Sequence, residues 1–250
     1  GYVGSATRMG VGDLNLMTLP EQLAFCTSLV EATGLPVVAD VDNGYGEALQ
    51  VARTAQAFER AGVSAIVIED QGSPKHCAFY AGMPLKLISR QEMVAKISAA
   101  AAARTDESMM ILARTDALPA LHDPAEALAR AQACVDAGAD GVFTPSSSLD
   151  DLRYIGHGWG RSQPLIMSSF NFPQLTLDGV KELSYSARLH PLPGILAALK
   201  AVQVVYTSLY ETGTFGDSIK GSMPMSEFEE LLGVPVAEGL DKRYTEISEA

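Results

Sequence analysis

The chain is poor in the residues that mark secreted, nucleic-acid-binding and membrane proteins. It has three cysteines in 250 residues, Cys26, Cys77 and Cys134. So sparse and odd a set builds no disulfide framework and reads as reduced thiols. Basic residues are scarce as well: 18 Lys and Arg against 30 Asp and Glu leave a formal charge of −12. That balance repels phosphates and anionic lipid head groups, so neither nucleic acid nor membrane is expected as a partner. No apolar run approaches the ~20 residues that cross a bilayer, and the first residues lack the basic-then-apolar order of a signal peptide. The expected location is the cytoplasm.

What is present is a core-forming composition, 47% apolar and 19% charged, which excludes a disordered chain. Short apolar runs at residues 36–40 (PVVAD), 64–69 (SAIVIE), 109–114 (MMILAR), 140–144 (DGVFT) and 164–168 (PLIMS), with a weaker one at 182–185 (ELSY), read as strands buried on both faces. Helical patterns lie between them and stop at glycines, as FERAGVSAIVIED and CVDAGADGVFTP show twice over. No Gly-rich phosphate fingerprint follows the first strand, and polar residues recur where strands end. The expectation is an α/β fold of the (β/α)8 TIM-barrel type over residues 1–190. A closed barrel has eight strands, so two βα units are expected before Gly1. Residues 191–250 read as C-terminal helices that pack on the barrel or on a neighbouring subunit, in a homo-oligomer, dimer or tetramer.

An acidic protein that binds an anion must create local positive charge, most directly with a carboxylate-held divalent cation. VVADVDNGYG ends a strand with Asp40 and Asp42 at i and i+2, on one side of an extended chain. Two like charges there call for a cation such as magnesium, with manganese as the alternative. The simpler reading is that they cap the helix beginning near Ala48. The next strand ends in Glu69 and Asp70, and the third in Arg114. The fork of Arg114 could hold a substrate carboxylate or pair with Glu69 or Asp70. Residues 72–87 form a long connection of the kind that makes active-site lids, carrying Lys75, His76 and Cys77 in succession. A nearby cation lowers a thiol's pKa, so Cys77 is a general acid/base candidate; the alternative is an inert surface cysteine.

DVDNGYG, IEDQGSPKHC and ILARTDA, in this order, resemble the DADTGYG, IEDQ-x-x-PK-x-C and IARTDA patterns of the isocitrate lyase and phosphoenolpyruvate mutase superfamily. GVGDLNLMT and SMPMSEFEELLGVP extend the likeness over nearly the whole chain. The resemblance implies a barrel with magnesium near Asp40 and Asp42, assisted through water by Asp13 and Glu69. It implies that Arg114 binds the substrate carboxylate, that Gly1 and Tyr2 fall in a turn meeting substrate through backbone amides, and that Ser168 and Asn171, in SSFNF, touch substrate. Cys77 matches the residue that protonates the departing fragment in the C–C lyases, which the mutases and phosphonopyruvate hydrolases do not normally carry. The implied activity is magnesium-dependent cleavage of a small 2-hydroxy- or 2-oxo-dicarboxylate, of 2-alkylmalate or methylisocitrate type, through an enolate-like intermediate. Alternatives on the same scaffold are a phosphonopyruvate or phosphoenolpyruvate mutase or hydrolase, an oxaloacetate decarboxylase or hydrolase, or an inactive carboxylate-binding homologue.

Three departures shape the substrate expectation. Ala78 and Phe79 follow Cys77 where the lyases place glycine and histidine, Met83 stands where they place lysine, and Pro145 and Ser146 occupy the region of their glutamate. Loss of those polar groups points to a smaller or more apolar substrate, with Phe79 and Met83 lining a pocket for an alkyl group.

Overall fold

The computed structural model describes residues 2–78, 80 and 82–249, without the side chains of 2, 3, 5, 246, 248 and 249. Gly1 and Phe79, expected at the substrate, lie outside the described residues. Tyr2 opens the helix Tyr2–Met9, which corrects the expected turn at that position.

The chain divides into two compact units, Gly1–Pro193 and Gly194–Ala250. The first holds six strands: β1 (Val38–Asp40), β2 (Ala65–Glu69), β3 (Met110–Arg114), β4 (Gly141–Phe143), β5 (Leu165–Ser168) and β6 (Ala187–Leu189). They pair in sequence order, β1-β2-β3-β4-β5-β6, and every pair is parallel. A doubly wound sheet reverses its strand order at a switch point. This one does not, so its connections wind in one sense, as in a barrel.

Local chemistry sets the element boundaries. Helix Ala48–Arg60 buries Val51, Thr54, Ala55 and Phe58, the spacing of one helical face. Ser89 and Glu92 exchange capping hydrogen bonds at the start of Arg90–Ala103. Gly62 and Gly138 have φ of 79° and 106°, left-handed conformations that end each helix and that a side chain would strain.

The strands alternate between two clusters. Ala39, Ile66, Ile68, Ile111, Ala113, Val142, Leu165 and Met167 pack against the helices. Ala65, Val67, Leu112, Phe143 and Ile166 form a smaller cluster on the opposite face. With a side-chain period of two, the last residues of the strands, Asp40, Glu69, Arg114, Phe143, Ser168 and Leu189, fall in register with that second face. They lie at the C-terminal ends of the strands, where barrel enzymes place their chemistry.

The last strand lies later than the pattern suggests. ELSY alternates like a strand, yet Glu182 ends the helix Leu177–Glu182 and Ser184 turns at φ 63°. Leu183 and Tyr185 are buried beneath the sheet rather than paired in it. The second unit contains helices Met225–Leu231 and Val234–Glu249, and nearly all of Pro193–Thr212, a helix with no buried residue. Pro224 stands at the N-cap of Met225–Leu231, where its ring presets the extended approach. Among the described residues, no helix is long and apolar enough to cross a membrane.

Candidate active site

Immediately after β1 the chain enters a turn in which Asp42, Gly44, Tyr45 and Gly46 all have positive φ. Only glycine fits at 44, where a Cβ would lie 2.5 Å from Val51 Cγ2. Lys96 Nζ donates to the Asn43 carbonyl and Thr54 Oγ1 to that of Gly44, so the helices fix the turn. Within it the Asp42 N–H donates to Asp40 Oδ1 at 3.0 Å, and Asn15 Nδ2 to Asp42 Oδ2 at 3.2 Å. Neither aspartate caps the following helix. That helix opens at Glu47, whose N–H donates to Gln50, which removes the simpler reading of the pair.

Four carboxylates meet here. Lys75 Nζ lies 2.6 Å from Asp13 Oδ1, 2.7 Å from Asp42 Oδ1 and 3.9 Å from Glu69 Oε1. This lysine is 1% exposed. It serves the carboxylates, the strongest partners in reach, instead of standing free beside the Cys77 thiol as the sequence suggests. Burial works against its charge, but Glu69, Asp40, Asp42 and Asp13 outweigh it and hold the ammonium well above its ordinary pKa. The cluster still lacks positive charge. Burial pushes Glu69 up to about 8 despite Arg114 and Lys75, and burial and the Asp40 charge raise Asp42.

Arg114 is the neighbour of Glu69 in the β2–β3 ladder. Its Nη1 is 3.2 Å from Glu69 Oε2, and its guanidinium lies 5.4 Å from the centre of the Phe143 ring. The partner that orients it is Asp116, which takes Nε at 2.9 Å and Nη2 at 3.0 Å. Asp116 is fully buried and also accepts from Gln71 Nε2. Asp70, the other expected partner, pairs instead with Arg130 Nη1 at 3.1 Å and accepts from Thr115 and the Asp116 N–H. It braces the loop that carries Asp116.

The 72–87 connection folds over these groups. Gly72 N–H donates to the Lys86 carbonyl, closing its base. Asn43 Nδ2 donates to Ser73 Oγ at 2.8 Å, and the Asp13 N–H to the Tyr80 hydroxyl at 3.0 Å. His76 Nδ1 faces the Pro84 carbonyl on the exposed side. Cys77 is 6% exposed, so it is no surface cysteine. It lines a cavity of roughly 190 Å³ together with Asp13, Asp40, Arg114, Ser168 and Asn171. The cavity's other walls include Ala78, Pro119, Phe143, Leu189 and Pro191. Met83 is 41% exposed and is not among them, so the expected alkyl contact at Met83 gives way to these carbon walls.

The site therefore gathers Asp13, Asp40, Asp42, Glu69, Lys75, Cys77, Arg114, Ser168 and Asn171, all singled out by sequence, around one loop and one cavity. The phosphoenolpyruvate phosphomutase family model matches residues 2–203 of the chain. The chain belongs to that family. Its relatives include 2,3-dimethylmalate lyase of Eubacterium barkeri, 34% identical over 246 residues, covering 98% of this chain and 84% of the relative. A phosphoenolpyruvate phosphomutase structure from Streptomyces platensis subsp. rosaceus superposes with a TM-score of 0.92 at 28% identity, covering 97% of this chain and 85% of that one. Phosphonopyruvate hydrolase, in a complex with oxalate and Mg++, superposes with a TM-score of 0.87 at 29% identity and the same coverage. Family membership makes this polar end of the sheet a candidate active site of an enzyme, and the parallel α/β architecture is that of its relatives. Asp116, Phe143 and Tyr80 complete the site without having been singled out by sequence.

The family's metal can be tested against these residues. Among the described residues no three His, Cys, Asp or Glu side chains already surround one point, and the Lys75 ammonium lies between Asp13 and Asp42. The donor chemistry nevertheless fits a hard cation: the available atoms are all oxygens. Asp42 Oδ1 and both Glu69 carboxylate oxygens are buried and meet the Lys75 ammonium or the Arg114 guanidinium as ion pairs, leaving lone pairs for a cation.

Proposed function

We propose that this protein is a magnesium-dependent C–C lyase that cleaves a small 2-hydroxy- or 2-oxo-dicarboxylate of the 2-alkylmalate or methylisocitrate type. The observation that carries this reading is that Cys77, Asp40 and Arg114 share the wall of one cavity. Asp40 and Asp42 would hold the ion, with Asp13 and Glu69 behind them through water. When bound, magnesium, or manganese in its place, supplies positive charge for the oxyanion that develops next to the broken bond.

The chain's own residues do the rest. Arg114, held flat by Asp116, offers its remaining N–H groups to a substrate carboxylate, and Ser168 and Asn171 contact the substrate's other end. The substrate's 2-hydroxyl loses its proton to solvent and its oxygen forms the new carbonyl as the C–C bond breaks; the bond's electron pair passes to the departing carboxylate fragment, the Cys77 S–H delivers a proton to that carbon, and solvent restores the thiol. Glu69 keeps Arg114 in place from below. Lys75 ties the 72–87 loop to the carboxylates, so the loop excludes water while it is attached. The unburied apolar face of Pro193–Thr212 supports a homo-oligomer, in which a second chain covers it.

The second reading, a phosphonate mutase or hydrolase, is favoured by the backbone match of 0.92 to the phosphomutase. Turnover of 2-alkylmalates, oxaloacetate and phosphonopyruvate with magnesium, by the native chain and by Cys77→Ser, separates the two. The lyase reading expects cleavage of a 2-alkylmalate and a loss of about 10²-fold or more in turnover in the variant, the range of a positioned general acid. Turnover of the best substrate by Cys77→Ser at the native rate would remove that reading.

A further inference from the structure

The cavity offers a bound acid a limited set of positive and hydrogen-bonding groups. Among the described residues that line it, Arg114 is the sole cation. A guanidinium has five N–H groups. Asp116 takes one on Nε and one on Nη2, and Nη1 lies 3.2 Å from Glu69 Oε2 as an ion pair. The edge formed by the two terminal nitrogens still carries one hydrogen from each, which serves one carboxylate.

A second carboxylate finds weaker partners. The Ser168 oxygen accepts from the Phe170 N–H, leaving its hydroxyl hydrogen to be given. Asn171 donates one amide hydrogen to the Ser146 carbonyl and keeps the other. The Ser146 hydroxyl is turned away to the Ser148 carbonyl. Ser147 adds one exposed hydroxyl at the rim, and beyond it the walls at Ala78, Pro119, Phe143, Pro145, Leu189 and Pro191 present carbon. At roughly 190 Å³ the cavity is also smaller than the ~300–1,000 Å³ of pockets for drug-sized ligands.

We infer that the site takes a dicarboxylate carrying one short alkyl substituent and rejects tricarboxylates. This narrows the lyase reading, on which it rests, from two substrate types to the 2-alkylmalates. A third carboxylate would be desolvated against these carbon walls with only the exposed Ser147 hydroxyl beside it. A methyl group in its place buries apolar surface against Phe143, Leu189 and Pro191.

Binding of non-reacting acids tests this independently of turnover. Calorimetric titration of the full chain with magnesium and succinate, 2-methylsuccinate or tricarballylate compares hydrogen, methyl and carboxymethyl at one position. The expected order has 2-methylsuccinate at least as tight as succinate and tricarballylate about 10²-fold weaker or worse. Tricarballylate binding as tightly as 2-methylsuccinate would overturn the inference. In Leu189→Arg, tricarballylate should gain and 2-methylsuccinate lose affinity, and a variant that changes neither shows that this wall does not meet the ligand and also overturns it. If the binding order holds while no 2-hydroxy acid is cleaved, the lyase reading fails and the pocket assignment stands.

Discussion

The two faces of the sheet in the first unit are built from the same strands and differ in almost everything else. The face toward the helices is carbon throughout, from Ala39 through Ile66, Ile68, Ile111 and Val142 to Met167. The opposite face has five buried apolar residues, Ala65, Val67, Leu112, Phe143 and Ile166, and then a final row that includes Asp40, Glu69, Arg114 and Ser168. Neighbours one peptide apart thus do separate work. Ile68 and Ala113 anchor the sheet, while Glu69 and Arg114 carry charge that burial makes costly and that only partners make tolerable.

The comparison breaks first at the final row. Asp40→Ala and Asp42→Asn, the latter chosen because asparagine tolerates the φ of 49° at that turn, should each abolish magnesium-dependent turnover. Their thermal melts should stay near that of the native chain. Full activity of either variant in the presence of a chelator would sink the metal assignment.

On the carbon face the expected loss is in stability. Ile111 is fully buried, and Ile111→Ala should cost about 2–5 kcal/mol of unfolding free energy. Its kcat/KM per folded molecule should be unchanged. A selective loss of activity would mean that the two faces are coupled.

A smaller effect sharpens the inner face. Arg114→Lys keeps the charge but cannot make the paired bonds to Asp116, so kcat/KM should fall by about tenfold or more, the value of a lost charged hydrogen bond. The fall should appear mainly in KM, because the binding of a carboxylate is what the fork supports.

The smallest effect belongs to Cys134, on the helix layer. Burial, assisted by the Asp70 charge, pushes its thiol up to about 12 from an ordinary 9.0. A raised folded pKa stabilises the folded state below the unfolded value, and that contribution is lost as pH climbs from about 9 toward 12. Denaturant midpoints at successive pH values should fall across that window, and the fall should shrink in Cys134→Ala. Its alkylation at pH 8 should also be slow in the folded chain.

Much of this site was legible because its residues follow buried strands. A run such as SAIVIED announces both the strand and the polar group at its end, so Asp40, Glu69, Arg114 and their shared level could be read directly. What stayed hidden depends on distance in space. Asp116 stands two residues from Arg114 in a quoted motif, yet nothing local says that it, rather than Asp70, takes the guanidinium; Arg130, sixteen residues beyond Arg114, claims Asp70. Along the chain Lys75 is a near neighbour of Cys77, whereas in space its long side chain reaches the carboxylates. The last strand lies beyond ELSY because Leu183 and Tyr185 alternate with polar residues for a reason other than pairing.

The two-residue period of the strands also limits how this enzyme can change. An insertion or deletion of one residue inside β2 or β3 would move Glu69 or Arg114 into the helix layer and turn isoleucines toward the substrate. Inherited change in specificity therefore falls more easily on the last residue of a strand and on the connections, where Ala78, Pro119, Pro145 and Pro191 line the cavity, than inside the strands. New specificities arise at strand ends and in loops, while the strands themselves keep their length.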